Sequence, residues 1–238
     1  MDTNVLIPHF LDHRKRDAVL IMPGGGYWFT SARESLPIAR RFQVLGFHAA
    51  VFEYRHVRLY HPDVIDEAIA VAESLSADPR IDRLFVIGFS AGGHLALHLA
   101  ERRPKLFSGV ILAYPVVTSD PRWEHHGSID NLLGDDRSPA RLRAVSLERH
   151  VPKAMPPLFV WHTMDDGGVP VENSLRLIAA CRRKGVSVEA HLFPHGVHGL
   201  ALADDTTPWD EGDQRAYARE NTHVATWFPL LEAWLKTL

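Results

Sequence analysis

Several features are scarce or missing in this chain of 238 residues, and each absence excludes a class of protein. Cys181 is the only cysteine, so no intramolecular disulfide can form, and its place in an apolar helical pattern indicates a buried side chain. No apolar run approaches the roughly 20 residues that a membrane-spanning helix needs. Residues 1–4 lack the basic and then apolar pattern of a secretory signal. These absences predict a cytoplasmic protein without a membrane anchor.

An excess of charge of one sign is also missing. The formal net charge is −3, the pI is near 6.6 and no basic run is present, so we do not expect nucleic acid as a partner. Histidine is frequent, with 15 residues, yet no HExxH or comparable ligand spacing occurs, so we expect no metal site. Hydrophobic residues make up 46% and charged residues 23%, which predicts one globular domain over residues 1–238.

Short apolar segments alternate along the chain with longer segments of helical period. The predicted strands are 19–22, 47–54, 84–87, 109–113, 158–161 and 186–193, and the predicted helices are 38–42, 64–75, 94–103, 171–184 and 223–236. This order predicts an α/β fold with a mostly parallel central sheet covered by helices on both faces. Functional groups in such sheets gather at the carboxyl ends of the strands. Residues 119–157 form the one long irregular stretch, which we interpret as a small cap or lid insertion.

The sharpest local motif is GFSAGG at residues 88–93, a G-x-S-x-G pattern between a predicted strand and a predicted helix. A nucleophilic serine needs a tight strand-to-helix turn that exposes its hydroxyl, and glycine two residues to either side removes the colliding Cβ atoms. A glycine-rich turn with a capping serine is the alternative, but the flanking strand and helix favour a nucleophile at Ser90. The Ala91 amide, at the start of the helix, can then stabilise an oxyanion.

A second glycine motif, PGGGY at residues 23–27, follows the first clear strand. An acyl-transfer site needs a further amide donor for the oxyanion, and this fold takes it from such a loop. Gly25 and Gly26 are both candidates, and the sequence does not rank them. The alternative is a phosphate-binding loop, but neither a G-x-x-x-x-G-K-[ST] motif nor a dinucleotide fingerprint is present. We therefore expect no nucleotide cofactor.

The general base and its acidic partner are expected after the serine, at later strand ends. His195 and His198 follow the strand at 186–193, and His198 is favoured because it lies farther from the strand end, next to a glycine. Asp165 and Asp166 follow the strand at 158–161, and spacing alone does not separate them, since either can cap the next helix. The pair at 125–126, both histidines, lies in the polar insertion and is interpreted as having no function.

The motifs described so far extend from PGGGY at residues 23–27 toward the final helix of the chain. Four further segments belong with them: Tyr114-Pro115, PLFVWHT at 157–163, VPVENS at 169–174 and HGL at 198–200. In combination they resemble the α/β-hydrolase superfamily, and within it the small esterases that include acetyl esterases, acetylxylan esterases and feruloyl esterase-like proteins. The family pattern H-G-x-x-D-x-x-V, placed on residues 162–169, implies that Asp166 is the catalytic acid. The family's G-x-H-G context likewise implies His198 as the base.

Three residues depart from the pattern of this superfamily. Thr163 stands where many relatives have glycine, and His195 stands where relatives usually have an acidic or small residue. Pro23 replaces the histidine of lipase-like members, as it does in the small esterases. None of the three removes a reacting group, so the implied Ser-His-Asp chemistry is unaffected.

The resemblance implies a sheet of about seven or eight strands and a serine carboxylesterase that needs no cofactor. Its substrate would be a small ester with a short acyl chain, such as an acetyl ester of a sugar or xylan fragment. Three aromatic residues, Tyr27, Trp28 and Phe29, directly follow the oxyanion loop, and Tyr114 follows a strand end. We expect these side chains to narrow the acyl side of the pocket, with packing in the core as the alternative.

Two other functions use the same features. A serine peptidase or amidase has the same triad, although a chain of this length leaves no room for a propeller or an extended substrate domain. A ligand-binding protein of this fold is also conceivable, but such proteins have lost a member of the triad, and all three are present here. The sequence does not indicate the oligomeric state, and a homodimer or a higher homo-oligomer stays open.

Overall fold

The central sheet contains seven strands within the residues that the computed structural model describes, which are 4–55, 57–209 and 213–238. The spatial order is β1-β3-β2-β4-β5-β6-β7, and every neighbouring pair is parallel except β1 with β3. Residues 1–3, part of the segment used to exclude a secretory signal, lie outside the described residues. The strands are β1 (Val5–His9), β2 (Arg16–Met22), β3 (His48–Glu53), β4 (Ile81–Phe89), β5 (Gly109–Ala113), β6 (Leu158–Thr163) and β7 (Val188–Phe193).

Helices connect these strands and cover both faces of the sheet. Short 3-10 helices lie at Ala32–Glu34, Pro104–Leu106 and Leu147–Arg149. The α-helices of the described residues are α1 (Leu36–Val44), α2 (Asp63–Ser76), α3 (Ala91–Arg102), α4 (His126–Leu133), α5 (Pro139–Ala144), α6 (Glu172–Lys184), α7 (Gln214–Glu220), α8 (Thr222–Ala225) and α9 (Trp227–Leu235).

Two hydrophobic cores lie on opposite faces of the sheet. Side chains alternate along each strand, so Leu20 of β2 belongs to the core beneath α2, α3 and α6, whereas its neighbour Ile21 belongs to the core beneath α1 and α9. Both residues are fully buried, and removing such a side chain from water contributes about 2 kcal/mol. Burial on both faces explains why the central strands are nearly continuous apolar runs, as the sequence predicted.

The predicted fold class is confirmed, and the predicted strands all occur, but four segments differ. One is α7, a helix that the sequence did not predict. β1 was not predicted, because a half-exposed edge strand lacks a continuous apolar run. Residues 119–157 are not wholly irregular: they contain α4 and α5, whose eight and six residues are too few to repeat the helical period clearly. The predicted helix at 223–236 is divided into α8 and α9, since Pro229 cannot donate to the carbonyl four residues earlier and is tolerated only in the first turn of a new helix.

Candidate active site

Ser90 lies at the sharp turn between β4 and α3. Its φ of 51° is in the left-handed region, which is strained for a residue with a side chain. The turn is also crowded: a Cβ on Gly88 would lie 2.2 Å from the Gly92 carbonyl oxygen, and one on Gly92 would lie 2.1 Å from the Met22 carbonyl oxygen. Only glycine fits at these two positions, which explains the spacing of the G-x-S-x-G motif.

A continuous chain of hydrogen bonds joins Ser90, His198 and Asp166. His198 Nε2 lies 2.8 Å from Ser90 Oγ, and His198 Nδ1 lies 2.8 Å from Asp166 Oδ2. An ionised carboxylate can only accept, so Nδ1 carries the proton and Nε2 is free to accept the proton of the serine hydroxyl. The structure therefore brings the three predicted catalytic residues together in the geometry of an acyl-transfer triad.

The Asp166 side chain is fully buried, and its other oxygen is also occupied. Oδ1 accepts hydrogen bonds from the amides of Gly168 at 2.8 Å and Val169 at 2.9 Å, and His162 Nε2 approaches Oδ2 at 3.3 Å. Burial alone would raise the pKa of Asp166, but the hydrogen bonds from His162, His198 and Val169 outweigh it, so the pKa is lowered well below its usual range. This carboxylate stays ionised and fixes the orientation of His198.

The alternative candidates, Asp165 and His195, form a separate pair. Their side chains are exposed and joined at 3.0 Å, and Asp165 also accepts from the Gly196 amide at 2.7 Å. Neither residue contacts Ser90. Spacing did not separate the two aspartates, but in the structure only Asp166 is hydrogen-bonded to His198. Thr163, which stands where many relatives have glycine, donates its hydroxyl hydrogen to the Gly196 carbonyl oxygen at 2.7 Å.

Three amide groups predicted to bind an oxyanion lie around Ser90. Ala91 is the first residue of α3, while Gly25 and Gly26 line the same cavity as Ser90. The Gly24 amide already donates to Glu34 Oε2 at 2.7 Å, whereas no acceptor for the Gly25 or Gly26 amide occurs among the described residues. Both glycines thus have free donors, and their role, with that of Ala91, stays a prediction that no bound ligand tests.

Of the aromatic residues predicted at the pocket, Phe29 lines the catalytic cavity, whereas Tyr27, Trp28 and Tyr114 do not. Tyr27 is buried, and its hydroxyl donates to His94 Nδ1 at 2.9 Å, because a left-handed φ of 57° turns its ring into the core. Trp28 is 62% exposed and lies beneath the Arg58 guanidinium. The prediction was wrong in placement because positions next to a tight glycine turn do not reveal which way each side chain points.

Tyr114 is also buried, but it supports the site from behind. Its hydroxyl donates to Glu34 Oε1 at 2.6 Å and accepts from the Ala201 amide at 2.9 Å, while its ring packs edge-on against His198 with 5.1 Å between centroids. Glu34 thereby links Tyr114 to the Gly24 amide. Burial raises the pKa of Glu34, although both of these hydrogen bonds oppose that shift. Tyr114 is therefore a positioning residue for His198 rather than a wall of the acyl pocket.

Arg33 connects the oxyanion side of the site to the segment that follows His198. Its guanidinium donates to the carbonyl oxygens of Gly199 at 2.7 Å, Thr207 at 2.6 Å and Pro208 at 2.7 Å, and it stacks on the Trp209 ring at 4.0 Å. A planar fork with five N–H groups suits such a set of acceptors better than a lysine would. No sequence motif pointed to Arg33, since its partners are more than 160 residues away.

The catalytic cavity has a volume of about 280 Å³, which suits a small acyl group. Phe29, Ser31, His125 and Trp209 also line it. His125, to which the sequence assigned no function, thus lies at the cavity, and its ring is nearly parallel to that of His198 with 6.5 Å between centroids. Only the three-dimensional fold reveals this, because 72 residues separate the two positions in the chain.

No cluster of three or more metal-ligating side chains occurs in the described parts of the chain. In the same residues, no helix is long and apolar enough to cross a membrane.

An elbow serine, a histidine and a buried aspartate at the carboxyl ends of a mostly parallel sheet define a serine hydrolase of the α/β-hydrolase fold. Residues 50–221 match the prolyl oligopeptidase family (Peptidase_S9), and the chain belongs to this family. The match includes the strands and loops that contribute Ser90, Asp166 and His198.

Three relatives are similar over most of the chain. An acetyl ester-xyloside bifunctional hydrolase from Caldicellulosiruptor lactoaceticus superposes with a TM-score of 0.84 at 32% identity, covering 98% of this chain and 88% of that one. Endo-1,4-beta-xylanase B of Butyrivibrio fibrisolvens is 34% identical over 89% of this chain, and an acetylxylan esterase of Xylanibacter ruminicola is 29% identical over 78%. The chain spans only 36% and 41% of the length of these last two proteins.

Proposed function

We propose that this chain is a serine carboxylesterase that hydrolyses short-chain acyl esters, above all acetyl esters. The observation that carries the proposal is the unbroken hydrogen-bond chain from Ser90 through His198 to the ionised Asp166. The names of the three relatives, which include an acetyl ester hydrolase and an acetylxylan esterase, support acetyl groups on sugars or xylan fragments as the substrate class.

In this mechanism Ser90 Oγ attacks the ester carbonyl carbon while His198 Nε2 accepts its proton. The carbonyl oxygen becomes an oxyanion that receives hydrogen bonds from the amides of Ala91 and of Gly25 or Gly26. The imidazolium, held by Asp166, then donates its proton to the alcohol oxygen, which leaves. Water then attacks the acyl carbon while His198 Nε2 accepts a proton from it. His198 returns this proton to Ser90 Oγ as the acid leaves, which regenerates the serine.

A peptidase or amidase is the second candidate, because the family to which residues 50–221 belong is named for peptidases. The same triad would serve both reactions, so the catalytic residues do not distinguish them. Rates on a matched ester and anilide with the same acyl group separate the two, and we expect the ester to be strongly preferred.

The proposal also includes the compartment, the partners and the cofactor requirement of the enzyme. We propose that it acts in the cytoplasm on a small-molecule ester, without nucleic acid or membrane partners and without a cofactor. Cys181 is free and buried, which fits a reducing compartment. The segment 119–157 would act as the cap of a single domain, since its helix α4 contacts the oxyanion loop through a hydrogen bond from Asn131 to the Gly26 carbonyl at 2.9 Å.

The direct test is hydrolysis of p-nitrophenyl acetate and p-nitrophenyl butyrate by the wild-type chain and by Ser90→Ala. We expect the acetate to be preferred and the variant to lose activity while keeping its fold, because Ser90 is the one nucleophile hydrogen-bonded to His198 in the part of the chain that the structure describes. Full activity of a folded Ser90→Ala protein would refute the assignment, and faster hydrolysis of the anilide than of the ester would favour the peptidase.

A further inference from the structure

His125 is a polar side chain in the catalytic cavity that the mechanism above does not use. It precedes α4 and is half-buried, and its ring is nearly parallel to that of His198, with an interplanar angle of 17°. The same cavity contains Ser90 and Gly26. Any substrate bound to the triad therefore passes close to this imidazole.

The local hydrogen bonds of His125 determine which of its nitrogens carries the proton. Nδ1 accepts from the Ser128 amide at 3.1 Å as the N-cap of α4, and the Ser128 hydroxyl lies 2.8 Å from the same nitrogen. Because Nδ1 is an acceptor, the neutral ring must have its proton on Nε2. Burial, followed by the nearby His198, lowers the pKa of His125 and favours this neutral form.

The Nε2–H group of His125 has no acceptor among the residues that the structure describes, and it is not a buried atom. The ring thus has one hydrogen-bond donor without a protein partner, on a residue that lines the cavity. Its position near His198, with the two rings nearly parallel and 6.5 Å between their centroids, matters because in the proposed mechanism His198 Nε2 delivers the proton to the leaving oxygen of the ester. Groups attached to that oxygen are therefore the candidate partners for the free donor of His125.

We propose that His125 is a specificity-determining residue that binds a hydroxyl group of the alcohol portion of the ester. The ligand class is the ester of a polyol, including a sugar, in which a free hydroxyl neighbours the acylated oxygen. A simple alkyl alcohol offers no acceptor at this place. This inference rests on the proposed esterase function and adds a residue that selects the leaving group.

The test compares two acetate esters of nearly equal size, 2-hydroxyethyl acetate and propyl acetate, which differ in one hydroxyl group. One hydrogen bond predicts that wild-type kcat/KM favours the hydroxylated ester by up to about tenfold. In His125→Asn the shorter side chain still caps α4 but does not extend to the cavity, so this preference should fall to near unity, chiefly through KM. His126→Asn is the matched control, because the His126 side chain is 68% exposed and pairs with Glu124 outside the cavity.

Three results would overturn the inference. The first is a His125→Asn protein, folded with an unchanged melting temperature, that keeps the wild-type preference. The second is an equal loss on both esters, which would show that the residue only supports the structure. The third is a His126→Asn protein that loses the preference as well. Failure of the proposed function is distinguishable from all three, since the wild-type chain would then also fail to hydrolyse p-nitrophenyl acetate.

Discussion

Replacing Asp166 with asparagine changes one atom of the triad and tests how that residue acts. An asparagine has one oxygen where the aspartate has two. Asp166 Oδ1 accepts from two backbone amides, Gly168 and Val169, so the asparagine oxygen must take this place. The opposite orientation would direct an NH₂ group at two N–H groups and leave two donors unpaired, at a cost of about 2 kcal/mol or more.

The NH₂ group of the variant then faces His198 Nδ1, which must become an acceptor. The imidazole proton moves to Nε2, the atom that lies 2.8 Å from Ser90 Oγ, and Nε2 can no longer accept the serine proton. Loss of the correct tautomer in such a triad lowers kcat by about 10⁴-fold, or roughly 5 kcal/mol of transition-state stabilisation. We expect a loss of this size with the fold retained.

The assay is kcat for p-nitrophenyl acetate at neutral pH, with circular dichroism to verify folding. Asp165→Asn is the matched control: the Asp165–His195 pair is exposed, so its loss should change kcat by no more than about twofold. The reasoning would be refuted if the Asp166→Asn protein kept a tenth or more of wild-type kcat, or if the two variants were equally impaired.

Two further substitutions test the surroundings of the triad. In Gly25→Ala the new Cβ would lie 2.2 Å from the Phe29 carbonyl oxygen, at a backbone φ of +127°, so the oxyanion loop must shift. We expect kcat for p-nitrophenyl acetate to fall by about 100-fold or more. A near-normal kcat would exclude this loop as an oxyanion donor. In Tyr114→Phe the buried Glu34 carboxylate and the Ala201 amide each lose a hydrogen-bond partner. We expect the free energy of unfolding to fall by about 3 kcal/mol, which calorimetry would show as a melting temperature roughly 9 °C lower. An unchanged melting temperature would contradict the assigned hydrogen bonds.

Most of the fold could be predicted from the sequence because its strands are buried on both faces. The continuous apolar run at residues 84–87 is typical of a central strand. The 3.6-residue hydrophobic period over residues 64–75 repeats for three turns, which predicts a helix. The short helices α4 and α5 are different. They are too short to repeat the helical period, and the His125 side chain that caps α4 is not a usual N-cap residue, so the sequence showed only a polar, Pro- and Gly-containing stretch.

The residues of the candidate site likewise differ in whether the sequence could predict them. Ser90 and the oxyanion glycines were predictable because steric crowding requires a local motif. The identity of the acid was not predictable from spacing, since Asp165 and Asp166 are adjacent and only their side-chain directions differ. Glu34 and Arg33 were missed altogether, because each acts through partners that are distant in the chain, such as Tyr114 for Glu34 and the Gly199 carbonyl for Arg33.

The central claim, that Ser90 is an activated nucleophile, is tested most directly by covalent labelling. The folded wild-type chain is incubated with an organophosphonate, and the modified peptide is located by mass spectrometry. We predict one adduct, on Ser90, that is lost in Ser90→Ala and formed far more slowly in Asp166→Asn. A folded sample with no adduct, or with the adduct on another serine of the cavity such as Ser31, would contradict the assignment.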